Sequence, residues 1–129
     1  VWIEGVGSNL ERLFSVWDPD TMDSLMLLAS AATSLGYEGS GDFAMEKDGR
    51  LVRRGERQMV PFVFTGVSVA HPRMFAGAPQ GPFSINKLWD TAIDNGRMFG
   101  IRLDGLWMHV GTPEALIEAE RWIESEDVA

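Results

Sequence analysis

The side chains with the most chemical potential gather around one junction. His109 follows Trp107-Met108, and Val110-Gly111-Thr112-Pro113-Glu114 comes next. Trp107, Met108 and Val110 suit an extended, buried segment. Gly111 lets the backbone turn without a Cβ clash. Thr112 is a good helix cap, Pro113 fits the first helical position, and Glu114 suits the positive helix end. Open α/β sheets bind ligands at the carboxyl ends of their strands, so such a junction can border a ligand site. Any α/β protein can also carry it as a plain connection, and the residue types alone favour that reading.

The other chemical signals are thinner. Residues 36–41 are glycine-rich, but they lack the Gly-Lys-Ser/Thr ending of a phosphate loop and the longer dinucleotide fingerprint. His71 and His109 are the two histidines and cysteine is absent, so neither a zinc site nor a disulfide framework is indicated. A net charge of −8 argues against a nucleic-acid binder. Positive charge is nonetheless concentrated at Lys47, Arg50, Arg53, Arg54 and Arg57, as an anionic substrate would require. No apolar run approaches the roughly 18 residues of a membrane span, and no leader is visible. The expectation is a cytoplasmic protein without a membrane partner.

These residues need positioning elements. The 129 residues, 45% hydrophobic, suit a single domain with its own core. Val1-Trp2-Ile3 reads as a strand tail. Ser8 and Glu11 have capping-box spacing before a helix to about Trp17, with Leu10, Leu13, Phe14 and Trp17 on one face. Residues 24–32 are an apolar run that periodicity alone cannot assign to helix or strand. Residues 42–54 read as a hairpin turning at Asp48-Gly49. Residues 60–70 read as a strand, with Pro61 at its start. Ser84 is expected to cap a helix to about Asn95, with Leu88, Trp89, Ala92 and Ile93 inward and Gly96 closing it. A strand over 98–103 and a turn at Asp104-Gly105 lead back to Trp107. The final helix, to about Glu126, carries Ala115, Leu116, Ala119, Trp122 and Ile123 as its apolar stripe.

Residues 107–114, followed by Ala119-Glu120, resemble the closing motif of the sugar-1-phosphate nucleotidyltransferases. Phe62-Val63-Phe64-Thr65-Gly66-Val67 and Pro72-Arg73-Met74-Phe75 resemble the same family's sugar-side strand and the turn after it. Residues 81–86 with Leu88-Trp89 resemble its next loop and helix. The resemblance covers roughly residues 24–123, in order. It is nearest the bacterial branch of N-acetylmuramate-1-phosphate uridylyltransferases and mannose-1-phosphate guanylyltransferase-like proteins. It favours a strand for residues 24–32. The fold it implies is α/β, a mixed sheet flanked by helices, forming the C-terminal part of a Rossmann-like nucleotidyltransferase domain.

The activity implied is transfer of a nucleoside monophosphate from an NTP to a sugar 1-phosphate, giving an NDP-sugar and pyrophosphate. The resemblance assigns the sugar phosphate to Gly41, Asp42, Arg54, Thr65, Gly66, Ser84 and Asn86. Each has a structural alternative: Asp42 can begin the hairpin, Arg54 can be a solvated strand residue, Gly66 can mark a bulge, and Ser84 can be a helix cap. The family commonly has an aspartate that binds metal where this chain has His109. Three roles stay open for it: a phosphate contact or a group steadying one, a metal ligand of altered preference, or a satisfied polar group at a strand end.

The family's glycine-rich nucleotide loop and first metal-binding aspartate fall before the region resembled here. The resemblance therefore implies the sugar-side half of a domain, inactive in isolation. Mg²⁺ is expected for the full-length parent, and no cofactor is assigned to this chain. Sugar 1-phosphate and NTP are the parent's expected partners. Missing neighbours would leave strand edges and apolar faces open, so a homodimer or swapped oligomer is expected. The competing reading is a non-catalytic truncated relative that binds a partner or a sugar phosphate.

Overall fold

The computed structural model describes residues 1–128. Its elements run β1 (Trp2–Glu4), α1 (Asn9–Val16), β2 (Ser24–Ser30), β3 (Phe43–Met45), β4 (Leu51–Arg53), β5 (Phe62–Ala70), a 3₁₀ turn (Pro72–Phe75), α2 (Asn86–Asp94), β6 (Met98–Arg102), β7 (Gly105–Trp107) and α3 (Pro113–Val128). Five strands form a mixed sheet in the order β4-β3-β5-β2-β6. Only the β2–β6 pair is parallel, with Ser24 opposite Met98 and Leu28 opposite Arg102. β1 and β7 form a separate antiparallel ribbon, Trp2 against Trp107.

The ambiguous apolar run is a strand because it is buried on both faces. Leu25, Leu27 and Ala29 pack on one side with Leu13 of α1 and Trp107. Met26 and Leu28 pack on the other with Phe43, Leu51 and Ala92 of α2. Successive strand side chains point to opposite faces, so odd and even residues of the run reach two opposed cores.

The β2–β5 ladder carries a wide bulge. Met26 pairs with Ser68 and Leu28 with Phe64. Leu27 therefore faces Thr65, Gly66 and Val67 together, three residues against one. Thr65 fills the gap: its hydroxyl donates to the Leu27 carbonyl at 2.8 Å.

Three expectations need correction. The helix after the 81–86 loop starts at Asn86, not at Ser84, and Ile85 occupies the cap without a side-chain bond. Ser84 instead accepts from the Asn86 backbone at 3.3 Å. On α3 the expected stripe is largely open: Ala119 is buried, but Leu116, Trp122 and Ile123 are exposed. On α1, Leu13 is buried while Leu10 and Phe14 face outward. In both helices the apolar pattern is present, and the described residues supply too few neighbours to cover it. No described helix is long and apolar enough to cross a membrane.

Candidate functional site

The junction at the end of β7 forms as its residues dictate. Thr112 caps α3 by accepting from the Ala115 backbone N–H at 3.1 Å. The loop after β2 is laced onto it. Leu35 donates to the Trp107 carbonyl at 2.9 Å, and His109 donates back to the Leu35 carbonyl at 2.8 Å. Leu35 and Met108 thereby form a parallel bridge. The glycine-rich loop, which follows the carboxyl end of β2, thus meets the closing motif.

Tyr37 joins the two, and nothing in the local pattern of the chain marks it. Its ring packs edge-on to His109 at 6.1 Å and tilted to Trp107 at 6.2 Å. Its hydroxyl accepts from the Gly41 backbone at 3.0 Å. His109 itself is exposed, and its ring folds back over Gly111. Among the described residues the exposed imidazole makes no hydrogen bond, which leaves its ring nitrogens open to water or a ligand.

Gly41 adopts φ +83, and a Cβ there would stand 2.2 Å from the Val60 carbonyl oxygen. Only glycine fits that approach. Asp42, next to it, donates its N–H to the Phe62 carbonyl at 2.8 Å. Its carboxylate accepts from the Phe64 backbone at 2.9 Å. Asp42 therefore begins the hairpin and ties it to β5. Its remaining oxygen stays exposed for a second partner. Thr65 and Gly66 follow Phe64 into the bulge.

Ser84 and Asn86 form a third group. The Asn86 amide donates to the Ser84 hydroxyl at 3.1 Å. Arg53 binds this helix start, donating to the Asn86 side-chain oxygen at 2.9 Å and to Asp90 at 2.8 Å. The same guanidinium lies over Phe43 and Trp89, at 5.4 and 5.6 Å. Trp89 in turn meets Phe64 at 5.5 Å. Arg54, by contrast, reaches among the described residues only the Gln58 carbonyl of its own loop, at 3.5 Å. Arg50 is held by Asp48 and the Gly96 carbonyl. The basic segment is thus spread over several partners rather than focused on one point. Arg54 keeps the more available guanidinium.

The structure draws Gly41, Asp42, Thr65, Gly66 and His109 into one connected system through Tyr37 and β5. Ser84 and Asn86 attach to it through the Trp89 aromatic cluster. No group of three or more His, Asp or Glu side chains that could hold a metal occurs among the described residues. His109 stands among aromatic rings rather than carboxylates, a donor set unsuited to Mg²⁺ without oxygen ligands from elsewhere. A wider hollow of about 860 Å³ lies beside the start of α1, bordered by Arg12, Arg102 and Asp104, and includes none of these residues.

Two polar clusters outside the site are structural. Asp23 takes hydrogen bonds from Arg97 and Arg73, the former at 2.8 Å. Burial pushes its carboxyl upward, and the bonds from the two guanidinium groups outweigh that and hold it below its ordinary value. Buried Asn9 ties α1 to the β6–β7 turn, exchanging bonds with the Asp104 backbone at 2.7 and 2.8 Å.

Comparison with known proteins now bears on this arrangement. No family model matches the chain. The chain is 38% identical over 120 residues to N-acetylmuramate alpha-1-phosphate uridylyltransferase of Caulobacter vibrioides, covering 93% of this chain and 50% of that protein. It spans about half the length of that protein. The chain is thus a relative of the sugar-1-phosphate nucleotidyltransferases, corresponding to part of one such enzyme.

Proposed function

We propose that this chain is the sugar-side half of a Rossmann-like nucleotidyltransferase domain, one that joins a nucleoside monophosphate from an NTP to a sugar 1-phosphate. In that reaction a phosphate oxygen of the sugar attacks the α-phosphorus of the nucleotide. One P–O bond forms, the bond to the bridging β-phosphate oxygen breaks, and pyrophosphate leaves. The protein's work is alignment and charge neutralisation. Gly41, Asp42, Thr65 and Gly66 would hold the sugar, Arg54 its phosphate, and Ser84 and Asn86 the rim. His109 would face the phosphates. Mg²⁺ in the whole enzyme would take its oxygen ligands from outside this set.

The observation that carries the reading is the 38% identity over 93% of the chain. The lacing of the loop after β2 onto the closing junction supports it. A non-catalytic sugar-phosphate-binding relative is the second reading, and histidine at position 109, where the family commonly has aspartate, favours it.

A chimera separates the two. This chain replaces the matching half of the Caulobacter vibrioides enzyme, and pyrophosphate release is followed with UTP, Mg²⁺ and N-acetylmuramate 1-phosphate. Release that depends on both substrates supports the nucleotidyltransferase reading. A folded chimera without release, restored by His109→Asp, supports the non-catalytic one.

A further inference from the structure

Arg53 stands opposite Phe43 in the β3–β4 ladder. Its guanidinium crosses from that hairpin to α2, where Asn86, Trp89 and Asp90 share one helix face at the i, i+3, i+4 spacing. Nε donates to Asp90 at 2.8 Å, and Nη2 donates to the Asn86 side-chain oxygen at 2.9 Å. The rings of Phe43 and Trp89, 5.4 and 5.6 Å away, hold the guanidinium in place.

Arginine only donates, so Asn86 turns its oxygen toward Arg53 and its NH₂ away. That NH₂ donates to the Ser84 hydroxyl oxygen at 3.1 Å, and the Asn86 backbone N–H donates to the same oxygen at 3.3 Å. A hydroxyl has two acceptor positions and one proton. Both acceptor positions of Ser84 are filled, and among the described residues its proton meets no acceptor. The exposed Ser84 hydroxyl therefore offers a ligand a donor and nothing else. Without Arg53 the Asn86 amide is free to turn over, and Ser84 would then donate its proton to Asn86 instead.

We propose that Arg53 is a positioning residue of the sugar-phosphate site, fixing the Ser84 hydroxyl, through Asn86, as a donor to an acceptor oxygen of the ligand. The charge at the head of this relay also strengthens the bonds that follow it. The proposal rests on the sugar-side reading above and adds to it a residue that acts through others.

The test is a double-mutant cycle, read by calorimetric titration of the chain with N-acetylglucosamine 1-phosphate. Arg53→Met keeps an apolar stem beside Phe43 and Trp89 and removes the donors. It should weaken binding about fivefold, as should Ser84→Ala, each through one lost hydrogen bond. In the Ser84→Ala background, Arg53→Met should weaken binding by less than about twofold further, because the two residues act in series. The Asn86 side-chain amide signals in an NMR spectrum should shift in Arg53→Met while the backbone signals of β2 and β5 stay in place. Asn86→Ala removes the middle link and leaves Arg53 paired with Asp90. It should match Arg53→Met in both backgrounds, and it decides the question alone if Arg53→Met does not fold. Additive losses overturn the proposal, because Arg53 or Asn86 then acts on the ligand without Ser84. So does an Arg53→Met chain that binds as well as the unaltered one. Absence of saturable binding by the unaltered chain removes the sugar-side reading and this proposal with it, whereas additive losses leave that reading standing.

Discussion

A Cβ on Gly36 would stand 2.6 Å from the carbonyl oxygen of His109. The loop after β2 and the closing junction therefore touch backbone to backbone, with no room for a side chain. Gly36 also adopts φ +77, where an L side chain is strained. Gly36→Ala should destabilise the fold by about 1–3 kcal/mol in urea unfolding. Gly77, with nothing near its Cβ position, is the control, and Gly77→Ala should change stability by less than about 0.5 kcal/mol. Equal effects would mean that the loop is not held against the junction.

Thr65 tests the bulge. Its hydroxyl is 2.8 Å from the Leu27 carbonyl, at the point where three residues of β5 face one of β2. Thr65→Val keeps the shape and removes the donor, which should lower stability by about 1–2 kcal/mol. Thr65→Ser should keep the bond and lose less. If valine is as stable as threonine in thermal unfolding, solvent already satisfies the Leu27 carbonyl.

The parts of this fold that local chemistry decides were legible from the chain. Thr112 caps α3 because its oxygen lies three residues from an orphan N–H. Asp48-Gly49 turns the hairpin for similarly local reasons. What depends on distant neighbours was not legible. Ser84 has the residue type of a cap, yet the first helical residue is Asn86, where Arg53 of β4 docks. Tyr37 carries no motif, and its role appears only when Gly41 and His109 arrive on either side of it. The stripe on α3 is apolar in sequence and in structure, but what covers it does not follow from the stripe.

Asp23 should make the fold acid-sensitive. Its carboxyl is held below its ordinary value by Arg97 and Arg73 against the opposing effect of burial. A depressed folded value stabilises the native state above the unfolded carboxylate's value of about 3.9. That contribution declines as pH falls below this range and is gone once pH passes below the folded value. Asp23→Asn should therefore lower stability at pH 7 and flatten the acid limb of a stability profile measured from pH 7 to 2. An unchanged acid limb would show that the two arginines do not favour the charged form.

The open face of α3 should make the chain self-associate. Leu116, Ile117, Trp122 and Ile123 are 42–50% exposed on one helix, more apolar surface than a single helix ordinarily leaves to water. Light scattering should show mass rising with concentration, and Trp122→Ser with Ile123→Ser should return it toward monomer. A monomeric mass for the unaltered chain at high concentration would count against this.

The central claim is that these residues hold a sugar phosphate and that the nucleotide must be held elsewhere. The most direct measurement is a calorimetric titration of this chain with N-acetylglucosamine 1-phosphate and, separately, with UTP and Mg²⁺. The account predicts saturable binding of the sugar phosphate, weakened several-fold by Arg54→Ala through loss of its charge-assisted bonds to phosphate, and no specific binding of the nucleotide. Tight nucleotide binding, or sugar phosphate binding indifferent to Arg54 and Asp42, would contradict it.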